Sequence, residues 1–200
     1  MKAIALFSGG IDSYVAAARA QEESIEIVRA LFFTYGQPTA RKEWACACDQ
    51  ALELKVTIEL PITINLVPPH IHDIKTGAMY IPCRNLVFLA CAANVAERYK
   101  ADRIIIGAHY QDFGGYPDCR PKFFNMFELL MQEAYGSNLR IYAPLLNYDK
   151  KQIIYLGTQL GCKFNKTWSC YQNDDKPCRT CDSCKLRAQA FKDLAIEDSL

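Results

Sequence analysis

No stretch of this 200-residue chain approaches the roughly 18–20 uninterrupted apolar residues that a membrane helix needs, which argues against a spanning protein. Charge of either sign is not in excess: 23 Lys and Arg stand against 22 Asp and Glu, a net charge of +1. Non-specific nucleic-acid binding rests on a basic surplus, so a broad nucleic-acid footprint is not expected and a small-molecule substrate suits the balance better. Internal repeats and low-complexity tracts are missing too. A secretion signal is not expected, because the chain opens directly on the strand-like run Lys2-Ala-Ile-Ala-Leu-Phe7. The Gly-Lys-Ser/Thr ending of a Walker loop is absent, which excludes an ordinary P-loop.

What remains is an ordinary globular profile, 50% apolar and 22% charged, enough for one domain or one domain with a small appendage. Ten cysteines would suit a secreted disulfide scaffold, but a chain of this length can bury a core without staples. A reducing cytoplasm is the expected setting. Cys46, Cys48 and Cys91 fall on helix-like segments and read as small core residues.

Strand and helix signals alternate along the chain. Strand-like runs occupy residues 2–7, 25–33, 56–60, 103–107 and 139–143; helix-like runs follow at 14–20, 39–54, 85–100, to about Tyr135, 149–160 and 181–195. Thr39 and Asp149 are positioned as helix caps, and Gly161 as a helix stop. Residues 61–82 read as a long irregular loop. This alternation predicts an α/β fold: a five-stranded parallel sheet flanked by helices, with its site at the strands' C-terminal ends.

The first strand leads into Ser8-Gly9-Gly10-Ile11-Asp12-Ser13 and then a helix. Two glycines permit close approach and positive φ, and the helix N-terminus offers free N–H groups and partial positive charge to an anion. Near the other end, Cys170-x7-Cys178-x2-Cys181-x2-Cys184 supplies four thiolates in fifteen residues. Four sulfurs at such spacing suit a closed, structural tetrahedral Zn2+ site that helps fold a tail with little core of its own. An iron–sulfur cluster is the main rival, although nothing else in the chain points to electron transfer.

The Ser-Gly-Gly-x-Asp-Ser segment resembles the pyrophosphate loop of ATP pyrophosphatases (the PP-loop superfamily), which cleave ATP between its α and β phosphates. Further segments narrow the resemblance: Phe33-Thr-Tyr-Gly-Gln37, Ile81-Pro-Cys-Arg-Asn85, Asp112-Phe-Gly-Gly-Tyr-Pro-Asp-Cys-Arg120, and the ending Thr167-Trp-Ser-Cys-Tyr171 with its cysteines. Together, in this order, they are similar to the QueC family, the 7-cyano-7-deazaguanine synthases. The resemblance implies a Rossmann-like adenine-nucleotide hydrolase fold over 1–165 and a small zinc-binding segment over 166–200. It implies a ligase that converts 7-carboxy-7-deazaguanine and ammonia to the 7-nitrile with ATP, through an acyl-adenylate and an amide. It also implies a homodimer.

On that resemblance, Phe7, Ser8, Gly9, Gly10, Ile11, Asp12 and Ser13 hold ATP, with Asp12 facing Mg2+; the alternative for Asp12 is a helix cap. Asp12, Ser13 and Arg84 carry the chemistry. Tyr35, Gln37, Arg84, Asn85, Asp112, Phe113, Tyr116 and Asp118 form the substrate set: Arg84 and Asn85 as donors to a carboxylate or phosphate, Asp118 to the guanine-like edge, Phe113 and Tyr116 as stacking faces. The blander readings are a surface cap for Arg84 and Asn85, packing for the aromatics, and an ordinary loop salt bridge between Asp112 and Arg120.

The chain departs from the family pattern in places. Thr34 replaces an aspartate, Pro38 and Thr39 replace a basic pair, Cys83 replaces a glycine, and the region 61–80 is shortened. A related ligase that stops at an amide is therefore the alternative function. A zinc module binding RNA or protein through Lys176, Arg179, Lys185 and Arg187 is another, against which the intact pyrophosphate loop and the lack of a basic excess argue; tRNA thiolation is a third, against which the charge balance argues. Cys83 is read either as a small residue at a glycine position or as a reactive thiol beside the activated acyl group.

Overall fold

The computed structural model describes residues 1–66 and 81–200; most of the expected 61–82 loop lies outside them. The central sheet is parallel and has the strand order β2-β1-β5-β6. Its strands are β1 (Lys2–Leu6), β2 (Glu26–Leu31), β5 (Arg103–Ile105) and β6 (Arg140–Tyr142). Between β2 and β5 the chain forms β3 (Phe33–Thr34) and β4 (Ile62–Thr63), which pair with each other in a separate two-stranded parallel ribbon.

Among the described residues the sheet therefore has four strands, not the expected five. Residues 56–60 make only a single bridge, Ala30 to Ile58. Pro61 follows at once with no N–H to donate, and Leu60 is 82% exposed, so the segment never becomes a ladder. The expected strand 25–33 also splits. Phe32 turns its carbonyl to Ile62 (2.9 Å) and passes the chain from the main sheet to the ribbon.

Residues 3–5 of β1 are fully buried, as a strand covered on both faces must be. The side-chain alternation of period two divides the core. Ala3, Ala5 and Phe7 face helices α1 (Ile11–Glu22), α2 (Ala40–Glu53), α5 (Lys150–Gln159) and α6 (Asp182–Asp193). Ile4 and Leu6 face α3 (Arg84–Tyr99) and α4 (Pro121–Tyr135). Asp149 caps α5 as expected: its carboxylate accepts the Gln152 N–H at 2.7 Å, and Gln152 Oε1 accepts the Asp149 N–H at 2.9 Å. Thr39 precedes α2 without a cap bond, and its hydroxyl instead donates to Glu43 at 2.6 Å.

The segment after residue 165 is built into this body. Arg187 is only 4% exposed and donates to Asp198 (2.8 Å), Thr167 Oγ1 (2.8 Å) and the Phe164 carbonyl (3.1 Å). It contributes nothing to an outward basic face, which removes one of the four cations read for an RNA-binding tail.

Candidate active site

The turn from β1 into α1 is shaped by contacts that leave no room for a side chain. Gly9 has φ +74°, and a Cβ there would stand 2.2 Å from the Glu43 carbonyl oxygen of α2. Its own carbonyl accepts the Trp168 N–H (2.8 Å) and Gln50 Nε2 (2.9 Å). Ser13 Oγ, nearly buried, accepts the Ser8 N–H at 3.2 Å and lies 3.1 Å from Ser8 Oγ. Ser8 Oγ in turn accepts the Gly10 N–H at 3.2 Å. With the Gly9 carbonyl tied inward, the start of α1, whose first N–H groups have no partner within the helix, borders a cavity of about 220 Å³. Phe7, Ser8, Gly10, Ile11, Asp12 and Ser13 all line it; Gly9 sits behind.

Asp12 makes no cap bond. Its two carboxylate oxygens instead lie 2.5 and 2.6 Å from Lys150 Nζ, at the first position of α5. His109 Nε2 stands 3.8 Å from Asp12 and 3.6 Å from Asp112. The imidazole is 3% exposed, and its Nδ1 has no hydrogen-bond partner among the described residues. Burial pushes the Asp112 carboxyl upward; Asp12 adds to this, while His109 and Lys150 oppose it. The result is a compact group of two carboxylates and two potential cations at the mouth of the loop.

The opposite wall carries Arg84, whose guanidinium stands 5.6 Å from the Tyr35 ring centroid and 5.8 Å from that of Tyr116. Gln37 is fastened by three bonds: it accepts the Tyr35 N–H (2.8 Å) and donates to the Phe33 carbonyl (3.0 Å) and to Glu43 (3.2 Å). Asn85 and Asp118 meet each other across the start of α3, where Asp118 Oδ2 accepts the Asn85 N–H at 2.9 Å. That bond satisfies one orphan donor of the helix. Asn85 still lines the cavity, whereas Asp118 and Phe113 do not. Arg120 spends its donors on the Phe113 carbonyl (2.9 and 2.7 Å), and Asp112 is engaged with His109 rather than with Arg120.

Cys83 precedes α3 with φ 58°, is exposed, and is not among the cavity-lining residues. A left-handed backbone at this position is the glycine geometry, which supports the smaller of its two readings.

The four cysteines of the C-terminal segment gather as the spacing expects, with sulfurs all within 4.8 Å of one another. Backbone N–H groups of Gln172, Asn173 and Cys178 point at Cys170 Sγ (3.3–3.4 Å), and those of Thr180 and Cys181 at Cys178 Sγ (3.5 and 3.3 Å). Hydrogen bonds from Thr180 and Cys181 pull the Cys178 thiol down to about 6. The group packs on Cys46 of α2 and on Trp168. None of the ten cysteines is in a disulfide.

A family model described as queuosine biosynthesis protein QueC matches residues 2–195. The chain belongs to the QueC family. It is 37% identical to the 7-cyano-7-deazaguanine synthase of Nitratiruptor sp., across 100% of this chain and 98% of the relative. It is 36% identical to that of Methanoculleus marisnigri, across 100% and 97%. This QueC chain is thus an ATP-dependent enzyme of the PP-loop superfamily. Its fold superposes on the U34-tRNA thiolase NcsA of Methanococcus maripaludis, described with its [4Fe-4S] cluster, with a TM-score of 0.58 at 17% identity. That match covers 96% of this chain and 64% of the thiolase, and at such identity it speaks for the fold alone.

Several residues at this QueC site were not visible from motifs. Lys150 of α5, His109 of the loop after β5, and Glu43 and Gln50 of α2 converge only through the fold. Trp168, Ser169, Tyr171 and Ser183 bring the cysteine segment into the cavity wall as well. A sequence signal existed for Lys150 alone: it follows the helix cap Asp149 just beyond a sheet strand, where Rossmann-like sheets place ligands.

Proposed function

We propose that this protein converts 7-carboxy-7-deazaguanine and ammonia to 7-cyano-7-deazaguanine, consuming two ATP. The observation that carries the proposal is one cavity holding both a preformed pyrophosphate loop and, on its other wall, Arg84 between aromatic faces. A flat, anionic heteroaromatic acid needs both parts: stacking surface for the ring and a fixed cation for the carboxylate.

In the first half, a carboxylate oxygen attacks the α-phosphorus of ATP and pyrophosphate leaves, giving the acyl-adenylate. Ammonia then adds to the acyl carbon, a proton departs, and AMP leaves with the C–O bonding pair. In the second half, the amide oxygen attacks the α-phosphorus of a second ATP and a second pyrophosphate leaves. Loss of the nitrogen-bound protons and of AMP, which takes the amide oxygen with it, leaves the nitrile. The N–H groups of α1 and Lys150 stabilise charge building on the departing pyrophosphate, an electrostatic role of fixed donors. Lys150 is held at the loop by Asp12 until that anion arrives.

Asp12 fits a Mg2+ ligand, since its carboxylate faces the cavity and already gathers a cation. A magnesium ion held there would supply charge neutralisation at the phosphates. The cysteine group fits Zn2+: bonds of about 2.3 Å put tetrahedral sulfurs about 3.8 Å apart, compatible with the observed gathering. A four-iron cube would have to sit between the sulfurs and spread them wider. Counting AMP against product tests the scheme: two AMP per nitrile is expected, and one AMP per amide with no nitrile would replace it by the amide-forming alternative.

A further inference from the structure

Beside the main cavity lies a second, much smaller one of about 30 Å³. The two share Tyr35, Gln37, Glu43, Arg84, Tyr116 and Tyr171, while Pro38 and Thr39 line only the small one. Its volume suits one or two molecules the size of water or ammonia. Glu43 lines this space. Thr39 Oγ1 donates to its Oε1 at 2.6 Å and Gln37 Nε2 to its Oε2 at 3.2 Å, so each oxygen keeps an acceptor site free. Both donors are themselves placed: Thr39 is buried, and Gln37 is fastened by Tyr35 and Phe33. Among the described residues no Lys, Arg or His forms an ion pair with this carboxylate, which is held by neutral donors alone.

We propose that this side pocket is the ammonia subsite and that Glu43 accepts the proton that nitrogen gives up. The proposal rests on the reading of the enzyme as an ammonia-consuming ligase. Ammonium enters, one N–H bond breaks with its electron pair kept by nitrogen, and the proton moves to a Glu43 oxygen. The nitrogen lone pair then forms the bond to the acyl carbon of the adenylate in the adjoining cavity. Glu43 returns its proton to water.

The charged and titratable groups facing the pocket agree with this direction of transfer. Arg84 of α3 stands on one side, and a second cation beside it is unfavourable, so nitrogen leaves the pocket neutral. Tyr35, Tyr116 and Tyr171 supply neutral walls. Burial raises the proton affinity of Glu43, while Thr39, Gln37 and Arg84 temper it.

The test separates the two half-steps. Substrate-dependent exchange of labelled pyrophosphate into ATP reports adenylation and needs no ammonia; steady-state turnover against ammonium chloride reports capture of nitrogen. For Glu43→Gln, exchange is expected to stay within about threefold of wild type while turnover at saturating ammonium falls at least tenfold. Thr39→Val, which removes only the orienting hydroxyl, is expected to raise the ammonium KM severalfold with exchange retained. An unchanged ammonium dependence in both variants overturns the subsite. Equal loss of exchange and turnover in both variants also overturns it, since Glu43 would then serve adenylation or folding. No exchange in the wild-type protein overturns the parent reading, and this proposal with it.

Discussion

The backbone N–H of Trp168 donates to the carbonyl oxygen of Gly9 at 2.8 Å, tying the cysteine-rich segment directly to the pyrophosphate loop. Gln50 closes the same junction from α2, donating to the carbonyls of Gly9 and Lys166 at 2.9 Å each. Two residues after Trp168 comes Cys170, a member of the thiolate group. A metal held by the cysteine group would therefore bear on the shape of the loop, although none of the four cysteines lines the cavity.

That junction predicts a coupled loss. Elemental analysis should find about one zinc per chain, and Cys181→Ser should weaken zinc retention and lower the unfolding midpoint, because binding energy here acts as folding energy. Substrate-dependent pyrophosphate exchange should fall with zinc content. Full exchange in metal-free protein would dissociate the two.

Asp12→Ala should abolish AMP formation in a protein that stays folded, since the side chain makes no cap bond and only gathers cations. Loss of one preorganised charge costs on the order of 2.7–4 kcal/mol of transition-state stabilisation, or 10²–10³ in rate. Lys150→Met should show a loss of similar size. Normal AMP release in either variant, measured by chromatography, would detach that residue from the pyrophosphate loop's chemistry.

Cys83→Gly should keep near-normal turnover and gain roughly 0.5–1 kcal/mol of stability, because a left-handed φ of 58° strains any side chain but suits glycine. Denaturant titration reads the stability, and mass spectrometry reads any substrate adduct on the native thiol. A covalent adduct, or complete loss of activity in both Cys83→Gly and Cys83→Ser, would instead assign the thiol a chemical role.

Asp112 has a raised affinity for its proton in the folded state, mainly from burial. The folded protein thus holds this proton to higher pH than the unfolded chain does. The associated stability is present below the unfolded carboxylate range and is lost as pH rises through the elevated folded value. Asp112→Asn should therefore flatten the fall of stability across that window while keeping an acceptor for the His109 N–H. A wild-type profile already flat there would remove this account of Asp112.

Much of this architecture was legible because buried parallel strands write themselves as short apolar runs and glycine pairs mark phosphate turns. Lys2-Ala-Ile-Ala-Leu-Phe7 and the loop after it follow that rule, as does Asp149 with its reciprocal Gln152. The expected third strand failed on a local conflict: residues 56–60 have strand composition, but Pro61 ends their ladder before it begins. The site was legible only where one segment carries its own geometry. Asp118 reads as a ligand for a base edge, yet its carboxylate holds the start of a helix 33 residues away. Lys150 meets Asp12 across 138 residues, a pairing that no local pattern encodes.

The most direct measurement is the mass of the product formed from 7-carboxy-7-deazaguanine incubated with the full chain, Mg-ATP and ammonium. The account predicts the nitrile, with the amide as a transient that ammonium-15N labels first. Accumulation of the amide alone, or recovery of unchanged acid beside intact ATP, would contradict it.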